Sequence, residues 1–79
     1  MRFKMQEGEY IQPHRHDQDE WIFVISGSFK TFVRSTEMKV LSRQCIFYPA
    51  GVEHYGTALE DLDCVCISIP MAEGYPTKD

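Results

Sequence analysis

The fold is decided by the stretch from Gly8 to Gly27, which reads GEYIQPHRHDQDEWIFVISG. It sets two glycines, two histidines and one glutamate in the register G-x5-H-x-H-x3-E-x6-G. His14 and His16 are two residues apart, so on an extended strand both imidazoles point to the same face. Glu20 follows after a short reversal and can begin a neighbouring strand, with its carboxylate turned back towards the histidines. This stretch therefore predicts half of a metal site.

A second block, in the register P-x-G-x2-H, holds Pro49, Gly51 and His54. The Pro-x-Gly turn changes the direction of the chain, so His54 can bring a third imidazole to the other two from an opposite strand. Together with the first block, it closes a pocket of three histidines and one glutamate. Such a donor set suits a divalent transition metal.

The two blocks resemble the motifs of the cupin family, G-x5-H-x-H-x3,4-E-x6-G and G-x5-P-x-G-x2-H-x3-N. The first motif matches at every fixed position. In the second, Arg43 stands where the family has glycine, and Ala58 stands where it has asparagine. Neither departure falls on a ligand position, so the resemblance extends to the metal site.

This resemblance implies a minimal cupin jelly-roll β-barrel with one divalent transition metal, bound by His14, His16, Glu20 and His54. Iron and manganese are favoured, and zinc, nickel and copper are possible. The resemblance also implies a metal-dependent enzyme of the dioxygenase, isomerase or lyase type, acting on a small oxygenated carbon compound such as a sugar acid or enol. The alternative is a non-catalytic sensor module that binds a metal or a small molecule.

The rest of the pattern also predicts an all-β fold in one domain, since short β-branched and aromatic segments alternate with turn residues. The predicted strands cover residues 3–5, 10–16, 20–25, 29–34, 40–41, 45–48, 54–57 and 64–69. Residues 17–19 are predicted as a polar turn, 26–28 as a tight hairpin turn, and 35–39 as a connection. The cupin domain spans residues 1–79, with its core at about 8–70 and a frayed tail at 71–79.

Composition restricts the partners and the compartment. The net charge is −4, and the eight Lys and Arg residues are scattered, which argues against nucleic acid as a partner. No apolar run reaches the length of a membrane span, and the N-terminal residues do not resemble a signal peptide. Three cysteines favour reduced thiols in a cytoplasmic protein.

A homodimer is also expected. Trp21, Phe23 and Ile25 alternate with Glu20, so they face outward if Glu20 faces the metal. A row of such residues is too apolar to be left to water. The tail after Pro70 and a second subunit are the two candidates to cover them, and because the tail is polar, a second subunit is expected.

Other residues are weaker candidates for the site. Tyr48, Arg34 and Arg43 are possible polar contacts to a substrate. Cys64 and Cys66 share one face of the last strand and are interpreted as small buried side chains, although a thiol on that face could approach the metal. The acceptors that fix the histidine tautomers are either backbone carbonyls or the side chains of Gln12, Gln18 and Tyr55.

Overall fold

The computed structural model describes residues 1–70, so the tail predicted at 71–79 lies outside the described residues. Eight strands are joined by turns and loops. They are β1 (Arg2–Met5), β2 (Tyr10–His14), β3 (Gln18–Ser26), β4 (Phe29–Val33), β5 (Thr36–Val40), β6 (Cys45–Tyr48), β7 (His54–Ala58) and β8 (Leu62–Pro70). Within this part of the chain, there is no helix with the length and apolar character that a membrane span requires.

The strands form two four-stranded antiparallel sheets. The first sheet has the order β1-β8-β3-β6, and the second has the order β2-β7-β4-β5. The buried core draws on both sheets, so they pack face to face as in a jelly-roll barrel. The predicted all-β fold is confirmed.

Strand β3 contributes two residues to the buried core. Ile22 and Val24 are buried, as their alternation with the outward residues predicts. Strict alternation would place Ser26 on this inward face, but Ser26 is exposed, because the register of β3 against β8 shifts between Val24 and Ser26. The inward face therefore ends two residues earlier than strict alternation predicts.

The turn after β3 differs from the prediction. Residues 26–28 were expected to close a hairpin, but β3 and β4 belong to different sheets, so this turn carries the chain across the barrel. Gly27 has a φ of 90°, and a side chain at this position would collide with the backbone of Asp61 and Leu62. A hairpin turn and a sheet crossing both call for glycine, so the sequence does not distinguish them.

The prediction of a connection at residues 35–39 is also wrong, because strand β5 occupies most of this segment and pairs with β4. Val33 pairs with Thr36, which leaves Arg34 and Ser35 as a two-residue turn with φ values of 50° and 70°. Two positive φ values define the tight hairpin turn whose twist matches that of the strands. The usual Asn-Gly signal for this turn is missing from the sequence.

The outer face of the first sheet carries an apolar patch formed by Trp21, Phe23, Ile25, Phe47 and Ile67. Trp21 of β3 lies between Phe47 of β6 and Ile67 of β8, and the Trp21 and Phe47 ring centroids are 4.7 Å apart. Each of the five side chains is between 38% and 54% exposed. The predicted outward orientation of Trp21, Phe23 and Ile25 is thus confirmed.

Candidate metal centre

Two of the predicted ligands lie side by side in the second sheet. Strand β2 ends at His14 and β7 begins at His54, and these residues are paired across the two strands. The register shifts between Ile11 and His14, in the segment that contains Pro13, which is tolerated because β2 is an edge strand. As a result, the ring centroids of His14 and His54 are 4.3 Å apart.

His16 reaches the same place from the loop after β2. The strand predicted for 10–16 ends at His14, so His16 does not owe its direction to strand alternation. Its ring centroid still lies 4.7 Å from that of His14 and 5.5 Å from that of His54. The backbone N–H of Gly51 donates to the carbonyl of His16 over 2.7 Å. This bond ties the loop of the first motif to the turn of the second.

Glu20 comes from the first sheet, whereas it was predicted to begin a strand beside the histidines. Strand β3 already begins at Gln18, so the polar turn predicted for 17–19 is shorter than expected. Oε1 of Glu20 lies 3.6 Å from Nε2 of His54 and 4.0 Å from Nε2 of His16. The predicted ligands therefore converge, with their donor atoms drawn from both sheets.

Backbone carbonyls fix the tautomers of two of the histidines. Nδ1 of His14 lies 2.8 Å from the carbonyl oxygen of Gln12, and Nδ1 of His54 lies 3.1 Å from that of Val52. A carbonyl can only accept, so Nδ1 carries the proton and Nε2 keeps its lone pair for a cation. Of the acceptors considered from the sequence, the structure uses backbone carbonyls for these two rings.

The donor atoms fit a single divalent ion. One ligand atom from each of the three imidazoles lies within 4.8 Å of the others. A metal with bonds of about 2.1 Å holds opposite ligands about 4.2 Å apart. Small side-chain rotations are thus enough to close the group around an ion, with the Glu20 carboxylate beside it.

The carboxyl of Glu20 is held in its ionised form. The His54 imidazole beside it lowers the pKa of Glu20 most, partial burial acts in the opposite direction, and a hydrogen bond from Cys66 lowers the pKa further. The Sγ of Cys66 lies 2.9 Å from Oε2 of Glu20. Burial and the Glu20 carboxylate raise the pKa of this thiol to about 11, so it remains a donor at neutral pH.

Tyr48 stacks on His54, with ring centroids 3.9 Å apart and an angle of 12° between the planes. Its hydroxyl lies 2.7 Å from Oγ1 of Thr31, and burial raises the pKa of Tyr48 to about 12. Tyr48 lines the cavity at the site, whereas Arg34 and Arg43, the other polar contacts considered from the sequence, do not. No sequence signal pointed to Thr31, because its role depends on β4 facing β6 across the barrel.

The histidine cluster lines a cavity of about 220 Å³ between the two sheets. Cys64 and Cys66 both face this cavity and are buried, as predicted, while Cys45 is exposed on the outside of the first sheet. The barrel thus encloses a space in which a small molecule can reach the imidazoles.

Two antiparallel sheets that enclose a pocket of imidazoles and one carboxylate define a small β-barrel with a histidine-rich binding site. The chain belongs to the cupin family, because the cupin domain model matches residues 1–70. A comparison with curated proteins gave no match.

Solved structures share the fold at low sequence identity. A conserved protein of unknown function from Streptococcus pyogenes, SPY1581, superimposes with a TM-score of 0.86 at 22% identity, over 91% of this chain and 63% of its own length. The oxalate decarboxylase of Bacillus subtilis, with Mn(II) centres, gives 0.78 at 19%, over 91% of this chain and 21% of that one. The salicylate 1,2-dioxygenase of Pseudaminobacter salicylatoxidans gives 0.82 at 13%, over 86% and 20%. The chain therefore spans less than two thirds of each of these structures.

Proposed function

We propose that the protein is a metal-dependent enzyme whose centre consists of His14, His16, Glu20 and His54 and holds one divalent transition metal. The observation that carries the proposal is the convergence of three imidazoles whose ligand atoms lie within 4.8 Å of one another, in a cavity between the two sheets. The ionised carboxylate of Glu20 adds the negative charge that favours a cation there.

Three nitrogens and one oxygen leave coordination positions for a substrate or water, and a metal bound there supplies Lewis-acid or redox chemistry. Iron and manganese are the favoured ions, since redox-active centres of this donor type serve oxygen chemistry. The similarity in fold to a manganese oxalate decarboxylase and a salicylate dioxygenase supports this range. Zinc, nickel and copper suit the same donors.

Other residues of the chain orient the ligands. Carbonyls of Gln12 and Val52 hold the two Nδ1 protons, and Tyr48 packs against the face of His54. The reaction class that follows is oxygenation, isomerisation or lyase chemistry on a small oxygenated carbon compound.

A non-catalytic sensor module is the second candidate, and one observation favours it. Besides the predicted ligands, the protic side chains lining the cavity within residues 1–70 include Tyr48, whose pKa is about 12, and Cys64 and Cys66, whose pKa values are about 11. Such groups are poor proton donors and acceptors near neutral pH. If the protein is an enzyme, its chemistry therefore depends on the metal.

Metal analysis of protein purified without added metal tests the proposal. We expect one transition-metal ion per chain in the parent protein and less than a tenth of that in His54→Ala. The metal-loaded protein is then screened for oxygen consumption and for isomerase and lyase turnover. Stoichiometric metal without turnover would support a metal-binding sensor module. A chain that binds no transition metal would refute the enzyme and favour a module that binds a small molecule.

We also propose that the protein is a homodimer formed through the outer apolar patch. Its aromatic centre at Trp21 and Phe47 is bordered by the ion pair between Arg2 and Asp63, whose atoms are 2.6 Å apart. An apolar centre with a charged rim is the usual composition of a subunit interface. A two-fold axis through the patch places each apolar centre on the other.

A further inference from the structure

The walls of the cavity are apolar over most of their extent. Both sheets contribute to them, with Phe3, Met5, Ile11, Ile22, Phe29 and Leu62 among the lining residues. The hydroxyl and carboxylate groups of a ligand would lose their hydration against these walls without gaining hydrogen bonds. The walls therefore favour a ligand that is apolar wherever it is not bound to the metal.

Two polar side chains of the cavity, besides the imidazoles, already have partners. The Tyr48 hydroxyl is bonded to Thr31, and the Cys66 thiol donates to Glu20. Among the lining residues in the described part of the chain, none is Lys or Arg. Met1 also lines the cavity, and its N-terminal ammonium already donates to the carbonyl of Cys66 over 2.6 Å. A second anionic group on a ligand would therefore find no uncommitted cationic side chain there, and its burial is costly.

The size of the cavity sets the size of the ligand. An apolar cavity of about 150 Å³ holds a benzene molecule. Benzene has six non-hydrogen atoms, so at the same volume per atom the cavity of about 220 Å³ holds a ligand of about nine non-hydrogen atoms. A ligand of this size has room for one metal-binding head and a body of several carbon atoms.

From these walls and this volume we propose that the metal centre acts on an amphiphilic small molecule with one oxygen-bearing head that chelates the metal and an apolar chain or ring as its body. Polycarboxylates and sugar acids, which carry polar groups along their whole length, do not suit the cavity. The inference rests on the proposed metal site and narrows the substrate class expected from the sequence.

Two hydroxamates test this directly. Hexanohydroxamate and succinic monohydroxamate have the same chelating head and the same number of non-hydrogen atoms, but the second ends in a carboxylate. Calorimetry on the Zn(II)-loaded protein should give tighter binding of hexanohydroxamate by about tenfold or more, because each buried methylene favours binding by about fourfold. Equal or weaker binding of hexanohydroxamate would overturn the inference.

A matched pair of variants locates the effect in the cavity. Ile11 lines the cavity, whereas its neighbour Tyr10, 55% exposed, is not among the lining residues. Ile11→Arg adds a cation to the wall and should reduce or reverse the preference for hexanohydroxamate. Tyr10→Arg adds the same charge elsewhere and should leave the preference unchanged. If both variants behave alike, the preference does not come from the cavity wall.

Zinc affinity is measured first on each protein, which separates the two possible failures. If zinc does not bind the parent protein, the proposed metal site itself is refuted. If zinc binds but the two hydroxamates bind equally, the metal site stands and the substrate class proposed here is refuted.

Discussion

The thiol of Cys66 donates a hydrogen bond to Oε2 of Glu20 over 2.9 Å, while Oε1 of the same carboxylate is the oxygen nearest to His54 and His16. The two carboxylate oxygens therefore have different partners. One is held by β8, and the other is presented to the imidazoles. Cys66 is thus a positioning residue for the proposed ligand, at a place where hydrogen-bond partners of ligands tune metal affinity.

Cys66→Ala should weaken metal binding by about tenfold, because Oε2 loses its donor and the carboxylate gains freedom to rotate. Cys66→Ser keeps a donor and should stay within about threefold of the parent. Competition with a chromogenic chelator measures both. Cys64→Ala is the control, since this buried thiol is on the same strand face but has no hydrogen bond to Glu20. Equal losses in Cys64→Ala and Cys66→Ala would show that packing, and not the hydrogen bond, is responsible.

Single replacement of His14, His16 or His54 by alanine should weaken metal binding by about tenfold or more, because each removes one donor atom. Glu20→Gln should weaken it less and change its pH dependence, since the amide keeps an oxygen but has no charge to titrate. Arg15→Ala, between the two histidines of the first motif, is the control and should bind like the parent. Undiminished affinity in His54→Ala would mean that the site is built differently.

Metal binding should stabilise the fold. A ligand that binds only the native state at a hundredfold excess over its Kd adds about 2.7 kcal/mol to the free energy of unfolding. In a domain of this size, that corresponds to a rise in Tm of about 10 °C or more. Calorimetric scans with Zn(II) and with a chelator measure the shift, and His54→Ala should show little of it. A parent Tm that is the same in both scans would show that the barrel gains no stability from the metal.

The outer apolar patch predicts a dimer. Light scattering should give roughly twice the chain mass of 9.2 kDa. Phe23→Glu puts a charge into the patch and should return the mass towards that of one chain, because a buried unpaired charge opposes association. Tyr10→Glu alters an exposed aromatic residue of the other sheet and serves as the control. A parent protein that is monomeric at micromolar concentration would contradict the interface.

Tyr48 should titrate at a higher pH than a tyrosine in an unfolded chain. Its pKa is raised to about 12 by burial, against about 10 in an unfolded chain, so the native state favours the neutral phenol. Its contribution to stability is complete below pH of about 10 and is lost as the pH rises towards about 12. Ultraviolet titration of the phenolate should show this late phase, and Tyr48→Phe should remove it. A titration curve unchanged by Tyr48→Phe would disprove the assignment.

The ligand positions were predictable because the two motifs have short, fixed spacing. The assignment of strands to sheets was not, since strand alternation is the same whichever sheet a strand joins, and Glu20 was therefore placed beside the histidines. Nor did the composition of residues 35–39 indicate β5, because the hairpin turn at Arg34 and Ser35 uses residues that seldom adopt positive φ.

Arg43 shows that a motif can predict the backbone conformation even at a position where the residue differs. It stands where the cupin motif has glycine, and its φ of 70° is one that glycine adopts without strain. The motif therefore reported the shape of the backbone correctly, although the residue had changed. The N–H of Arg43 donates to the carbonyl of Val24 over 2.7 Å, which helps to hold the turn in this shape.

The pairing of β1 with β8 affects how the chain folds during its synthesis. Strand β1 is made before the other strands described here, yet its partner, β8, lies near the far end of the described chain, and the first sheet also contains β3 and β6. Neither sheet can be completed from the N-terminal half alone. Contacts between residues this distant in sequence slow folding. The barrel therefore closes only after β8 has been synthesised. Until then, the apolar strands of the nascent chain must be kept from contact with other chains.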